Sequence, residues 1–388
     1  MSTTIIIAIC ILILVAYLFD LSAAKTRIPS ILLLLVLGFA VKQVCAYFLI
    51  ALPDLNRLLP ALGTIGLILI VLEGALELRI ERGKGHLISK AVVTSLIPML
   101  LMGSLLAAAF HIVFGYPLHQ SVINAIPFCV ISSAIAIPSS KTLQKDHKEF
   151  IIYESSLSDI FGVLLFNFVA LNTIFNANTF ATFGLQLLVV ITISFGATLL
   201  LTLLIRKITH PIKFAPIIIL VILIYEISKV FHLPGLIFIL VFGLFLNNID
   251  LIKHKSLSFF NHESLTREVH KFHELVGEGT FLVKTLFFLV FGFSIELENL
   301  IDLHALQIAA GIVLCIFILR FAQLRLFKLP IKPLGFIAPR GLITVLLFLS
   351  IAPEQRITLA TQSLVVQVVV LTALVMMVGL MTQPKRSA

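Results

Sequence analysis

Tryptophan is absent and charge is scarce. Only 12% of the residues are Asp, Glu, Lys or Arg, while 60% are hydrophobic. A soluble globular domain carries about 25% charged residues, so a chain of this composition has little room for a soluble domain. Ten-residue segments of alternating polarity are also missing, which argues against a transmembrane β-barrel. Without Trp, any aromatic belt must come from the 5 Tyr, and the 32 Phe read as lipid-facing and packing residues. Cysteine is sparse: Cys10, Cys45, Cys129 and Cys315 lie in or beside apolar runs. Their spacing suits neither a disulfide framework nor a metal site, and they read as small apolar fillers. No basic stretch precedes the first apolar run, so that run reads as a retained span rather than a cleaved signal.

What is present is a succession of apolar runs, each long enough to cross roughly 30 Å of hydrocarbon as a helix. The expectation is an all-α polytopic membrane protein of about 13 transmembrane helices, near residues 3–19, 29–50, 58–78, 87–114, 119–140, 149–175, 180–205, 214–231, 234–249, 278–295, 302–323, 333–352 and 361–381. The net charge of +9 then reflects loop lysines and arginines, not a nucleic-acid partner. With the N-terminus outside, the cytoplasmic connections and C-terminus collect nearly every Lys and Arg. The opposite side holds Lys42, Arg57, Lys229 and Arg356, and Lys284, Arg320 and Arg340 fall within spans. A missed or invented span in the middle would scramble this separation, so N-out and C-in orientation in a bacterial inner (plasma) membrane is expected. The chain reads as one transmembrane domain over residues 1–388. Its longest cytoplasmic loop would be 250–277, bearing His254, His262, His270 and His273. The chain ends soon after the last span, with no C-terminal regulatory domain expected.

Thirteen spans divide into two six-span halves of opposite orientation joined by a connector, an inverted-repeat plan common among secondary transporters. Spans 5 and 12 then correspond. Span 5 has Pro127 and Pro138 flanking Ser132 and Ser133; span 12 contains Pro339, Arg340 and Gly341. Proline removes a helix hydrogen bond and glycine relaxes the backbone. Interrupted helices at matching positions of two halves are the sequence pointer to a transport site.

Charge inside a span costs at least about 2.5–3.5 kcal/mol and is functional by default. Span 6 holds Glu154, Ser155, Ser156, Ser158 and Asp159. Ser155 and Asp159 share one face, one turn apart, and Glu154 and Ser158 share the adjacent face. A hard monovalent cation takes oxygen ligands, which a carboxylate and hydroxyls supply. The same carboxylate can hold a proton instead, and that competition is sufficient chemistry for exchange. The alternative makes Asp159 a helix-packing polar residue. Arg320, deep in span 11, pairs with Glu154 or else snorkels beside Arg325. Arg340 neutralises helix C-termini, gates the pathway, or is a loop-edge charge. Glu73 is a candidate wall of an ion funnel and Glu77 an interfacial partner of Arg79 or Arg82. Asp20, Lys42, Glu226 and Lys284 read as near-interface residues.

On these residues the chain resembles the monovalent cation:proton antiporters, specifically the NhaP-like sodium/proton exchangers. The run Glu154-Ser155-Ser156-Leu157-Ser158-Asp159 is similar to the family's Glu-Ser-x-x-Asn-Asp motif. The stretch around Arg340 and Gly341 resembles its Arg-Gly motif. The resemblance implies that Asp159 binds Na⁺ (or K⁺ or Li⁺) and H⁺ in turn, that Ser155 is a ligand, and that Glu154 pairs with Arg320. It also implies interrupted helices that cross, a homodimer, and a mobile core of spans 4–6 and 11–13. Two positions depart from the pattern. Ser133-Ala134-Ile135 stands where the family has Thr-Asp-Pro or Ser-Asp-Pro, and Ser158 replaces the usual Asn.

The expected activity is therefore secondary exchange of a monovalent cation, Na⁺ first, for H⁺ by alternating access at Asp159, with Ser155, Ser158 and Ser133 beside it. A single carboxylate suggests an electroneutral cycle. The alternatives are K⁺/H⁺ exchange or a cation or pH sensor that does not transport. A channel would need a continuous polar pore. An intramembrane protease would need a second deep aspartate or a zinc or serine motif, none of which is present. No enzyme activity, cofactor or nucleic-acid partner is expected; the partners are the ions, the bilayer and a second copy.

Overall fold

Among the described residues each expected span is occupied by helix, two of them with a break. The computed structural model describes residues 2–48, 58–78, 83–140, 143–173, 176–207, 210, 212–231, 235–248, 262–296 and 302–382. In chain order the helices are α1 (Ser2–Thr26), α2 (Ser30–Tyr47), α3 (Leu59–Glu77), α4 (Gly85–Ala108), α5 (Leu118–Ala125), α6 (Ser133–Ser139), α7 (Lys145–Leu171), α8 (Ala177–Lys207), α9 (Phe214–Val230), α10 (Leu236–Asn247), α11 (His262–Ser294), α12 (Leu303–Leu326), α13 (Ile331–Leu334), α14 (Leu342–Ser350) and α15 (Gln362–Met381). No strand occurs among the described residues. Ten spans there are long and apolar enough to cross a membrane, with α5 and α6 together forming one of them. The other expected stretches are occupied by α9, α10 and the α13–α14 pair. All are shorter, and α10 has 12 residues.

Two groups of helices form the bundle. One joins α4, α5, α6, α7, α12, α14 and α15; the other joins α1, α2, α3, α8, α9, α10 and α11. Helix α3 links them, touching α7 and α14 on one side and α10 and α11 on the other. The first group holds the polar interior. Its packing surfaces include Ile123, Phe128, Phe150, Leu342 and Val368, all buried. Many other large apolar side chains, such as Leu14, Leu185, Ile193 and Leu314, point outwards, as expected where the solvent is hydrocarbon.

One expectation is corrected. Residues 262–277 are not loop but the first half of α11, running unbroken into the span. Val269, Phe272 and Val276 are buried and fall on one helical face, while His270, Lys271 and Glu274 are exposed. That amphipathic spacing favours helix despite the density of charge. His270 pairs with Glu274 at 3.4 Å and Lys213 with Glu268 at 2.5 Å. Residues 250–261, including His254, lie outside the described residues. Among those described, no cluster of three metal-ligating side chains occurs.

Candidate functional site

Both expected spans are interrupted, the first just after Pro127 and the second at Pro339 to Gly341, while Pro138 lies inside α6. After α5 the chain makes a tight turn at Ile126–Phe128 and runs non-helical until α6 starts at Ser133. After α13 it runs non-helical through Ile337 to Gly341, where α14 begins. The two breaks meet: the Ser132 N–H donates to the Pro339 carbonyl at 2.9 Å. Their closeness requires glycine at 341, because a Cβ there would lie 2.6 Å from Ser132 Oγ and 2.8 Å from Ile135 Cδ1.

Helix α7 is laced to the first break. Ser158 Oγ accepts the Ile131 N–H at 2.9 Å, and Asp159 Oδ2 accepts the Ser133 N–H at 3.3 Å. One turn on, Gly162 leaves space for Val130, whose Cγ2 would be 2.3 Å from an added Cβ. The helix thus satisfies two backbone donors that the break exposes. Ser158, expected as an ion ligand, gives one lone pair of its Oγ to the break's backbone. Ser155 Oγ donates to the Ile151 carbonyl at 2.7 Å, within its own helix. Ser133, the first residue of α6, meets Asp159 through its backbone N–H, with its side chain also beside the carboxylate.

Asp159 is 3% exposed, and its second oxygen, Oδ1, is buried with no hydrogen-bond partner among the described residues. The same is true of Ser132 Oγ and Ser156 Oγ. A buried carboxylate oxygen without a donor is costly. A proton or a bare cation removes that cost, and either can take the same lone pairs. Glu154 has no such freedom. Its two oxygens accept from Arg320 Nη1 and Nη2 at 2.6 and 2.7 Å, and Oε1 also accepts from Gln323 Nε2 at 3.1 Å. Arg320 Nε reaches the Leu334 carbonyl at 3.1 Å, and Gln323 also donates to the Thr94 carbonyl at 3.0 Å. This closed network ties α7 to α12, α13 and α4. Gln323 was not singled out from sequence; its position three residues after Arg320, on the same helical face, was the signal available.

Arg340 donates from Nε to the Phe128 carbonyl at 2.7 Å and from Nη1 to the Ala338 carbonyl at 2.9 Å. Its backbone N–H donates to Thr372 Oγ1 at 3.0 Å. Among the described residues no carboxylate pairs with it. Of the readings open from sequence, the geometry matches a cation set at the carbonyl end of the first half-helix, where negative dipole accumulates.

Two cavities approach the site through neighbours of Asp159, Ser133 in one and Val163, one turn along α7, in the other. One, of about 220 Å³, is lined by Asp20, Glu73, Glu77, Lys284, Ser133 and Pro138, among others. Glu73 therefore shares a cavity with Ser133, as a funnel residue would. Asp20 and Lys284, read from sequence as near-interface residues, also line it. The other, of about 570 Å³, runs between α3, α7, α9 and α14 and includes Thr64, Val163, Asn167, Tyr225 and Lys229.

The sequence model described as "Sodium/hydrogen exchanger, transmembrane" matches residues 9–384. No curated protein sequence matches the chain. The fold is similar to the structure of the sodium proton antiporter MjNhaP1 from Methanocaldococcus jannaschii at pH 8. That similarity has TM-score 0.72 and 18% identity and covers 97% of this chain and 100% of that one. An electron-microscopy map of the same antiporter gives TM-score 0.68 and 19% identity, covering 97% and 95%.

Proposed function

Because the chain belongs to the sodium/hydrogen exchanger family, we propose that it exchanges Na⁺ for H⁺ at Asp159 by alternating access. The observation that carries this reading is the buried Asp159 carboxylate. It is held on one oxygen by the Ser133 N–H and unpartnered on the other. Na⁺ and H⁺ compete for that oxygen, so the site holds one or the other and each step returns it neutralised. Glu154, neutralised by Arg320, takes no part in this competition and holds the core together. Ser155, Ser133 and Ser158 line the neighbourhood, the last two through the break they organise, and Glu73 draws cations into the inner cavity.

One exchangeable carboxylate fits a one-for-one, electroneutral cycle. We place the chain in a bacterial inner membrane with the N-terminus outside. There it would form thirteen spans in two inverted halves, working as a homodimer around a core of α4–α7 and α12–α15. In everted vesicles carrying a respiration-driven pH gradient, adding Na⁺ is expected to dissipate the gradient for the wild type and not for Asp159→Asn. A response to K⁺ alone would move the assignment to K⁺/H⁺ exchange. No response to Na⁺, K⁺ or Li⁺ from folded protein would favour a sensor that binds without transporting. Current during exchange that reverses with voltage would exclude the electroneutral cycle.

A further inference from the structure

The inner cavity contains a lysine that exchange at Asp159 does not explain. Lys284 lies on α11, where Gly277, Thr280, Phe281 and Lys284 form one face of the cavity wall. It is half-buried and makes no hydrogen bond or ion pair among the described residues.

Contacts along α3 set its depth. A Cβ added to Gly277 would lie 3.5 Å from Glu73 Oε1, and one added to Gly66 would lie 3.4 Å from Val283 Cγ1. A Cβ on Gly74 would lie 3.2 Å from Ser156 Oγ of α7. Both α7 and α11 run antiparallel to α3, rising about 1.5 Å per residue. Asp159, three residues past Ser156, is therefore level with about residue 71 of α3. The Lys284 backbone lies further along, near the level of Gly66. Its side chain leans back towards the start of its helix, which returns the ammonium to roughly the level of Asp159. An ion moving up the cavity from Glu77 thus passes Glu73 and then meets Lys284 at about the level of the carboxylate. The cavity volume of about 220 Å³ has room for roughly seven waters, so this wall is wetted and its charge acts on any ion inside.

We propose that Lys284 is a tethered cation on the inner pathway that opposes loading of the transported cation and so sets the concentration at which Asp159 fills. This deepens the exchange reading and rests on it. A fixed positive charge at this level repels an entering cation, while Glu73 and Glu77 attract it earlier on its path.

The test compares Lys284→Met, Lys284→Gln and Lys284→Arg with wild type in the vesicle assay, reading the half-saturating Na⁺ concentration and the maximal rate separately. Loss of the charge in the Met and Gln variants is expected to lower half-saturation by roughly three- to tenfold. The maximal rate should stay within about twofold. The Arg variant, which keeps the charge, is expected to stay near wild type. A general folding defect would lower the maximal rate in every variant without improving half-saturation. Unchanged half-saturation in both neutral variants, or an Arg variant that shifts as far as they do, would overturn the proposal. Half-saturation of Na⁺-dependent thermal stabilisation in purified protein gives the same comparison without transport. If the wild type shows no exchange, the exchange reading fails, and that binding measurement still decides whether Lys284 opposes the cation.

Discussion

Among the described residues, Glu154, Asp159, Arg320 and Arg340 are the acidic and basic side chains fully buried in the bundle. Three have fixed partners: Glu154 and Arg320 hold each other, and Arg340 is held by carbonyls. Of these four, Asp159 alone keeps a bare oxygen, and in the proposed function that difference separates structural charge from exchangeable charge. Removing one member of the Glu154–Arg320 pair leaves the other buried and uncompensated, at a cost of about 3–5 kcal/mol. Glu154→Gln and Arg320→Gln are therefore each expected to lower the thermal unfolding midpoint in detergent sharply. Asp159→Asn should leave it within a few degrees of wild type while abolishing exchange. These residues were legible from sequence because charge is so rare in spans that each instance draws attention. Their partners were less legible. Ser158 turned out to serve a backbone N–H of the break, and Lys284 reached a cavity, since neither a backbone's non-helical path nor a cavity has a composition to read.

At the scale of elements, the two broken helices depend on each other. The break in one is filled by the chain of the other through the Ser132–Pro339 hydrogen bond and the close fit at Gly341. Gly341→Ala must push Ser132 or Ile135 aside, which costs about 1–3 kcal/mol and displaces the backbone that holds Asp159. Exchange is expected to slow at least several-fold, with a lower unfolding midpoint. Gly311→Ala on α12, where an added Cβ meets nothing within 4 Å, should change neither. Proline marked the first break and Pro339 with Gly341 the second, but not that the two touch, because they lie about 200 residues apart and only packing brings them together. The early part of α11 was misjudged for a different reason. Its charged residues suggested a loop, while Val269, Phe272 and Val276 already carried the helical spacing that burial rewards.

Across the whole molecule, a cluster of helices bearing the charged interior leans on a second, more apolar cluster through α3, with one cavity reaching Ser133 and another reaching Val163. Alternating access requires that Asp159 communicate with one cavity at a time, with the carboxylate occupied whenever it crosses between them. The most direct test is therefore of occupancy. Purified protein in weak buffer is titrated with Na⁺ across a pH series while proton release is followed. Competition at one carboxylate is expected to release up to one proton per Na⁺ bound, with the ratio falling as pH rises and Asp159 is already deprotonated. Asp159→Asn should show no release at any pH. Na⁺ binding without proton release throughout the series, or release that persists in Asp159→Asn, would contradict exchange at this residue.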